Sequence, residues 1–441
     1  MRTAAASIDI TPPVGLPLAG NVRDDNISRG VHDRLFCNAI ILEYEGETVC
    51  FLSYDLIGLG YDACNYIKKQ VEQKSGIKSS KIIVSSTHTH SGPDVLGIFK
   101  DSIDIECMEY LEDITRRVAA NVAVLINELE ETRISISRSE VFGLSFNRRL
   151  FMKEGIMSMN WEGVEPQDVV KESGPIDPEL YVISFRNRTG KLKALMVNFA
   201  LHPAVLVGKD WLYSRDFPDG LDTYVKEKLG SDTIVFFANG TQGNINHINY
   251  KDKNQGRGFE EAKRIGNALG QEVIKCLDHE QPLKDKSLKC MQQTITLPHR
   301  LIPREDIEKA EKLIEKTGDK IPSLLDGVPD EMYAREIIKL SKSKEKYAET
   351  VIHAVRVGDI VIVTLPGEVF VEFGIKIKEN SAFKNTLVFG ITNDFIGYIP
   401  TQKAFKEGGY EIKTAFSSKL DKMAGDILVS EVNQLIEKLM S

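Results

Sequence analysis

Residues 81–93, KIIVSSTHTHSGP, decide how this chain is read. Ile82, Ile83 and Val84 form a β-branched apolar run, the mark of a strand buried on both faces. The run leads into Thr87-His88-Thr89-His90 and breaks at Ser91-Gly92-Pro93. Side chains alternate across a strand, so continued extension would point His88 and His90 to the same side. The chain has eight histidines, and two of them sit here at the end of a strand. Strand ends are where active sites collect in α/β proteins, and neutral imidazole is the commonest metal-binding side chain. The segment therefore predicts a metal-dependent site at the end of a buried strand.

Working outward, apolar runs at 36–44 and 48–54 form a hairpin about Glu45-Gly46-Glu47, and 61–75 has helical spacing. Strand, helix, strand is a βαβ unit. Further strands are expected at 134–142, 181–186, 193–201, 233–238 and 386–391, and a hairpin at 351–357 and 359–365 about Gly358. Helices are expected at 105–129, 220–229, 258–278, 304–317, 330–348 and 420–440. The lysine-rich run 339–346 is read as a solvated helix face. With no internal repeat or low-complexity linker, the expected fold is α/β: one large domain over 1–441, with mixed sheets flanked by helices.

Composition narrows the function classes. The chain has 441 residues, 42% hydrophobic and 27% charged, as in an ordinary globular protein with a sizeable core. A net charge of −8 argues against nucleic acid as a main partner. No window approaches the length of a membrane-spanning helix. The opening MRTAAASIDITPP lacks the apolar core of a signal peptide, so a cytoplasmic location is expected. Cys37, Cys50, Cys64, Cys107, Cys276 and Cys290 show no CxxC spacing and are expected to be buried free thiols.

Four expected strands end on groups that bind metal or move protons. One leads to His88 and His90, a second to His202, a third to Glu368, and a fourth through Asn393 to Tyr398. Two or three histidines with a carboxylate form the usual shell of catalytic zinc. Taken singly, a His-Pro after a strand is ordinarily structural and a Pro-Gly-Glu is ordinarily a turn. Their recurrence at strand ends carries the case.

These residues also resemble a known family, the neutral (non-lysosomal) ceramidases and their smaller bacterial relatives. The resemblance runs through Asp9-Ile10-Thr11-Pro12-Pro13, Gly30-Val31-His32-Asp33, Tyr54-Asp55, Thr87–Pro93, Asn147-Arg148, Asn198–Pro203, Pro366-Gly367-Glu368, Gly397-Tyr398-Ile399-Pro400-Thr401 and Gly409-Tyr410-Glu411. It implies a zinc ion (Zn2+) held by His88, His202, Glu368 and Tyr398, with His90, Arg148 and Tyr410 lining the reaction site. It further implies water attack on an amide carbonyl, with His90 as the acid/base and Arg148 or Tyr410 stabilising the oxyanion.

The chain departs from the family at Gly243-Asn244-Ile245-Asn246-His247, where ceramidases carry a Gly-Asp-Val-Ser-Pro-Asn-like segment. Asn246 cannot act as a serine-type nucleophile; it is expected to hydrogen-bond substrate, as are Arg215 and Asp216 in the loop after His202. The immunoglobulin-like C-terminal domain and export signal of ceramidases are not evident. The expected substrate is accordingly a small soluble N-acylated molecule rather than ceramide. An ester or lactone hydrolase, or a non-catalytic metal- or ligand-binding homologue, is the alternative. Oligomeric state is left open.

Overall fold

Three sheet surfaces pack around one shared apolar core, and each turns its outer face to helices. The computed structural model of the chain describes residues 1–440 apart from 24, 99, 101, 319 and 323. Among these residues the largest sheet runs Ile234–Asn239, Leu192–Phe199, Glu179–Asn187, Glu130–Glu140, Arg2–Asp9, Phe36–Tyr44, Glu47–Tyr54, Ile82–Ser86, with Gln281–Pro282 beside Glu130–Glu140. Arg2–Asp9 pairs with Phe36–Tyr44 along its whole length but meets Glu130–Glu140 only through Arg2 and Thr3. The sheet folds over at that joint. The edge strand Ile234–Asn239 comes back against Glu47–Tyr54, where Ser53 Oγ donates to Phe237 O at 2.6 Å. A separate sheet, Leu288–Pro298, Tyr347–Val357, Ile360–Thr364, Asn385–Phe389, closes the third side.

The period of two along each strand explains the long apolar runs. Ile40, Phe51 and Ile83 face the central core, as do Tyr181, Ile183, Met196 and Phe236 from the other half and Ile360, Ile362 and Leu387 from the third sheet. The alternate residues face outward. Cys50, Leu52 and Val84 pack with the helices Tyr61–Ser75 and Ile105–Leu125. Leu195, Val197 and Val235 pack with Phe217–Leu229 and Phe259–Leu277. Val361, Val363 and Val388 pack with Val371–Asn380 and Ala424–Met440.

Each of the three surfaces contains one parallel strand pair joined through a helix. Glu47–Tyr54 pairs with Ile82–Ser86 across Tyr61–Ser75, Leu192–Phe199 with Ile234–Asn239 across Phe217–Leu229, and Ile360–Thr364 with Asn385–Phe389 across Val371–Asn380. Parallel strands present their carboxyl ends on one side of a sheet, where α/β sites form. Here three such ends converge.

Two expectations need correction. The helix expected over 330–348 ends at Ser341, and Tyr347 already begins a strand that pairs with Leu288–Pro298 along its length. Tertiary pairing overrides the local helical tendency there. The lysines of 339–346 therefore do not share one solvated helix face. No strand was expected at 288–298 because polar residues interrupt it: one face is in solvent, leaving only Leu288, Cys290, Ile295 and Leu297 buried. All six cysteines are buried and unpaired. No helix among the described residues is long and apolar enough to cross a membrane.

Candidate active site

The strand Ile82–Ser86 ends two residues before His88, which takes φ 75°. Left-handed backbone is uncommon outside glycine. It is held here by His88 N donating to Leu56 O at 3.0 Å and Nδ1 donating to Ile57 O at 2.5 Å. A sharp turn, not continued extension, brings His88 into place, which corrects the picture of two histidines alternating along one strand. His90 N donates to Pro203 O at 3.2 Å, tying the first histidine segment to the second. Asn239 completes the tie: its Nδ2 donates to Thr87 O at 3.1 Å and Leu201 O at 3.0 Å.

The three imidazoles meet at their Nε2 atoms. His88 and His202 are 3.1 Å apart, His202 and His90 3.1 Å, and His90 and His88 3.4 Å. The carbonyl of Ile57 can only accept, so His88 carries Nδ1–H and turns its Nε2 lone pair inward; His202 Nδ1 lies between Gln242 O at 3.4 Å and Arg148 Nη1 at 3.5 Å, and its Nε2 faces the same centre. Burial, with His88 and Arg148 nearby, holds the His202 and His90 imidazoles well below the ordinary histidine range. Glu368 Oε2 lies 3.5 Å from His88 Nε2 and 3.8 Å from His202 Nε2, buried with no hydrogen-bond donor. Lone pairs and a buried carboxylate facing one another call for a cation. A tetrahedral ion bonded at ~2.0–2.1 Å spaces its ligands by roughly 3.3 Å, close to the spacing of the three nitrogens. The residues present therefore fit a zinc-type ion, and the three histidines form a cluster able to hold a metal.

Glu368 and Tyr398 are direct partners in a short parallel pair, Glu368–Val369 with Tyr398–Ile399, so the backbone sets them side by side. Gly243 packs against them: a Cβ there would come within 2.4 Å of Glu368 O. The fully buried guanidinium of Arg148 lies 5.3, 5.5 and 5.7 Å from the ring centres of Trp161, Tyr398 and Tyr410. Its Nε bonds Glu411 Oε1 at 2.8 Å and its Nη2 bonds Gly243 O at 2.8 Å. Glu411 also takes Arg149 Nη1 at 2.5 Å. Burial alone would raise the Glu411 carboxyl, but these two guanidinium groups outweigh it and hold it below the ordinary range. Burial pushes the Tyr410 hydroxyl up to about 12 and the Tyr398 hydroxyl well above its usual value.

His88, His90, Glu368, Tyr398 and Tyr410 line one cavity of about 70 Å³. His202, Arg148, Arg215, Asp216 and Asn246 are not among its lining residues. Arg215 is buried between Asp55 at 2.8 Å and Asp222 at 3.1 Å. Asp216 takes the backbone N–H groups of Val205, Leu206 and Phe217 and caps the helix Phe217–Leu229. Asn246 exchanges two hydrogen bonds with Asn160, at 2.7 and 2.8 Å. These three side chains thus bridge neighbouring segments of the chain.

Some contributors carry no motif. Gly20, with φ +89°, lies flat against His90: a Cβ would stand 2.5 Å from its Cγ and 2.7 Å from its Cα. Nothing around Gly20 in the sequence announces that contact. Gly20→Ala is expected to shift His90 and lower kcat/KM by roughly 10²-fold, the cost of a misplacement on the scale of an ångström. Steady-state kinetics beside a circular dichroism melt checks this; a parent-like rate would show that His90 tolerates displacement.

A family model described as neutral/alkaline non-lysosomal ceramidase, N-terminal, matches residues 3–244. The neutral ceramidases of Drosophila melanogaster and Drosophila pseudoobscura pseudoobscura are each 28% identical over 156 residues, 33% of this chain and 22% of theirs. The match thus spans 22% of the length of these curated relatives. The crystal structure of neutral ceramidase from Pseudomonas aeruginosa superimposes with a TM-score of 0.76 at 17% identity, covering 99% of this chain and 74% of that one. A structure of ceramidase complexed with C2 gives a TM-score of 0.75 at 16% identity, covering 100% of this chain and 75% of that one. At such identities the likeness establishes the fold.

Proposed function

The chain belongs to the neutral/alkaline non-lysosomal ceramidase family, and on that footing we propose that it is a zinc-dependent hydrolase cleaving the carbon–nitrogen bond of a small N-acylated substrate. One observation carries the proposal: imidazole lone pairs converge with the donor-free Glu368 Oε2 beside a buried guanidinium. His88, His202 and Glu368 would hold the ion, with Tyr398 paired to Glu368 at its side and His90, whose Nε2 joins the same cluster, kept for proton transfer. Bound zinc supplies Lewis acidity to the scissile carbonyl and an acidified water as nucleophile.

The chain's own residues do the rest. Arg148, clamped by Glu411 and the Gly243 carbonyl, places fixed positive charge where the carbonyl oxygen becomes negative. Tyr410 stays protonated and donates to the same oxygen. His90 is the most exposed of the three histidines, and its Nδ1 is buried without a partner. It takes the proton released by the attacking water and returns one to the departing amine. The small cavity at the histidines favours a compact reacting group. We assign residues 1–441 to one catalytic unit, because the groups at the site run from Gly20 to Glu411. Six buried free thiols favour a reducing, cytoplasmic setting.

The test is a panel of N-acyl amines, esters and lactones offered to metal-loaded protein. Amide cleavage that stops on chelation is expected. Turnover of esters or lactones with no amide cleaved would move the assignment to that chemistry. Binding without turnover would make the chain a non-catalytic homologue.

A further inference from the structure

His90 is held differently from the two histidines beside it. The His88 ring is fixed through Nδ1 to Ile57 O, and His202 Nδ1 lies against Gln242 O. The His90 ring meets its neighbours at Nε2, and its Nδ1 is buried without a partner. Its aim therefore rests on its backbone and on what the side chain packs against. His90 N donates to Pro203 O, and the Cα and Cγ lie against Gly20. The remaining backbone group, His90 O, accepts from Arg23 Nη2 at 3.3 Å.

Arg23 is not among the residues lining the reaction cavity and is only 4% exposed. Its Nη1 donates to Ala19 O at 3.2 Å and its Nε to Asp210 O at 2.8 Å. Its own backbone N–H is taken by Asn26 Oδ1 at 2.9 Å. One guanidinium thus bonds both sides of the Gly20–His90 contact, at the Ala19–Gly20 peptide and at the His90 carbonyl. It ties both to the segment after His202. Gly20 has no side chain with which to hold that contact itself. Leu18, Ala19, Gly20, Asn21 and Val22 also form one wall of the cavity. Three carbonyls in three directions suit the rigid five-donor fork of arginine, which a lysine ammonium cannot reproduce. Without the fork, buried carbonyls lose their donors, and the segments shift to find others.

We infer that Arg23 is the positioning residue of His90: it staples the Gly20 wall to the His90 backbone and so aims the acid/base at the reaction centre. This rests on the role given to His90 in the hydrolase reading above. The three guanidinium hydrogen bonds go to none of His88, His202 or Glu368. Removing the fork therefore separates proton transfer from metal binding.

The test compares Arg23→Met, His90→Gln and the double variant, each as zinc-loaded full chain, by kcat on an amide the parent cleaves and by zinc per chain. Arg23→Met is expected to keep the parent's zinc and to lose kcat by about 10²-fold, as for a misplacement on the scale of an ångström. In the His90→Gln background the same change should cost less than about threefold, because the group it positions is gone. An Arg23→Met loss under about threefold in the parent, a loss repeated in full beside His90→Gln, or loss of zinc would each overturn the inference. Should Arg23→Met fail to fold, Arg23→Lys, which keeps the charge but not the fork, is put through the same comparisons. If the parent cleaves no amide, the hydrolase reading fails on its own, and crystal structures of parent and variant decide the role of Arg23. His90 displaced with His88 and His202 in place supports it; three unmoved imidazoles overturn it.

Discussion

His202→Ala is expected to lower kcat for amide hydrolysis by on the order of 10³-fold or more and to empty the metal site. Changes to the partners of metal ligands already cost roughly 10–100-fold, and this change removes a ligand itself. The fold should survive it. His202 lies in a loop beyond the strand Leu192–Phe199, whose core residues Leu195, Val197 and Phe199 are untouched. The variant should melt close to the metal-free parent and below the metal-loaded parent, because an ion bound only to the native state stabilises it by mass action. Rates and melts with and without added zinc separate the two effects. A variant that keeps both its metal and its rate would remove His202 from the site.

Glu411→Gln is expected to be the most destabilising single change near the site, by about 3–5 kcal/mol, the usual cost of breaking a buried ion pair. Glu411 is fully buried between two arginines, Arg148 and Arg149, and neither has another carboxylate as close. Arg149 Nη2 reaches Glu407 only at 4.0 Å. Glutamine keeps the shape but leaves two buried cations without their counter-charge. Because the folded-state pKa of Glu411 is depressed, its contribution is complete above the unfolded glutamate value of about 4.3 and is lost as pH falls below it. The stability gap between parent and variant should therefore be full at neutral pH and narrow in acid. Denaturant titrations at neutral and acidic pH check it; a gap that widens in acid would contradict the ion-pair explanation. Arg148 should also lose its orientation, so kcat should fall in whatever fraction stays folded.

The sequence disclosed most of the fold because most of its strands are buried on both faces. Within them, Ala39–Leu42, Val49–Leu52 and Ile82–Val84 are unbroken apolar runs, as burial on both faces requires. The strand Leu288–Pro298 stayed hidden because one face is wet and its pattern is broken by Lys289, Gln292, Gln293 and Thr296. The metal-binding candidates were legible because each follows a buried strand, and strand ends are where this architecture places chemistry. His88 shows the limit of that logic: the strand delivers it nearby, but a left-handed turn locked by Leu56 and Ile57 aims it. Gly20 and the double pairing of Glu411 could not be seen, since they arise where segments far apart in sequence come into contact. Arg215, Asp216 and Asn246 are read as substrate groups because they are polar and follow a motif. Their hydrogen bonds go to loops and a helix cap, a use that local sequence does not distinguish from binding.

The most direct test of the central claim is metal content measured alongside amide hydrolysis on the same preparations. The geometry predicts about one zinc per chain in the parent and little in His88→Ala or His202→Ala. Hydrolysis should be lost on chelation and restored by zinc. Full metal retention by both variants, or undiminished amide cleavage by metal-free protein, would contradict it.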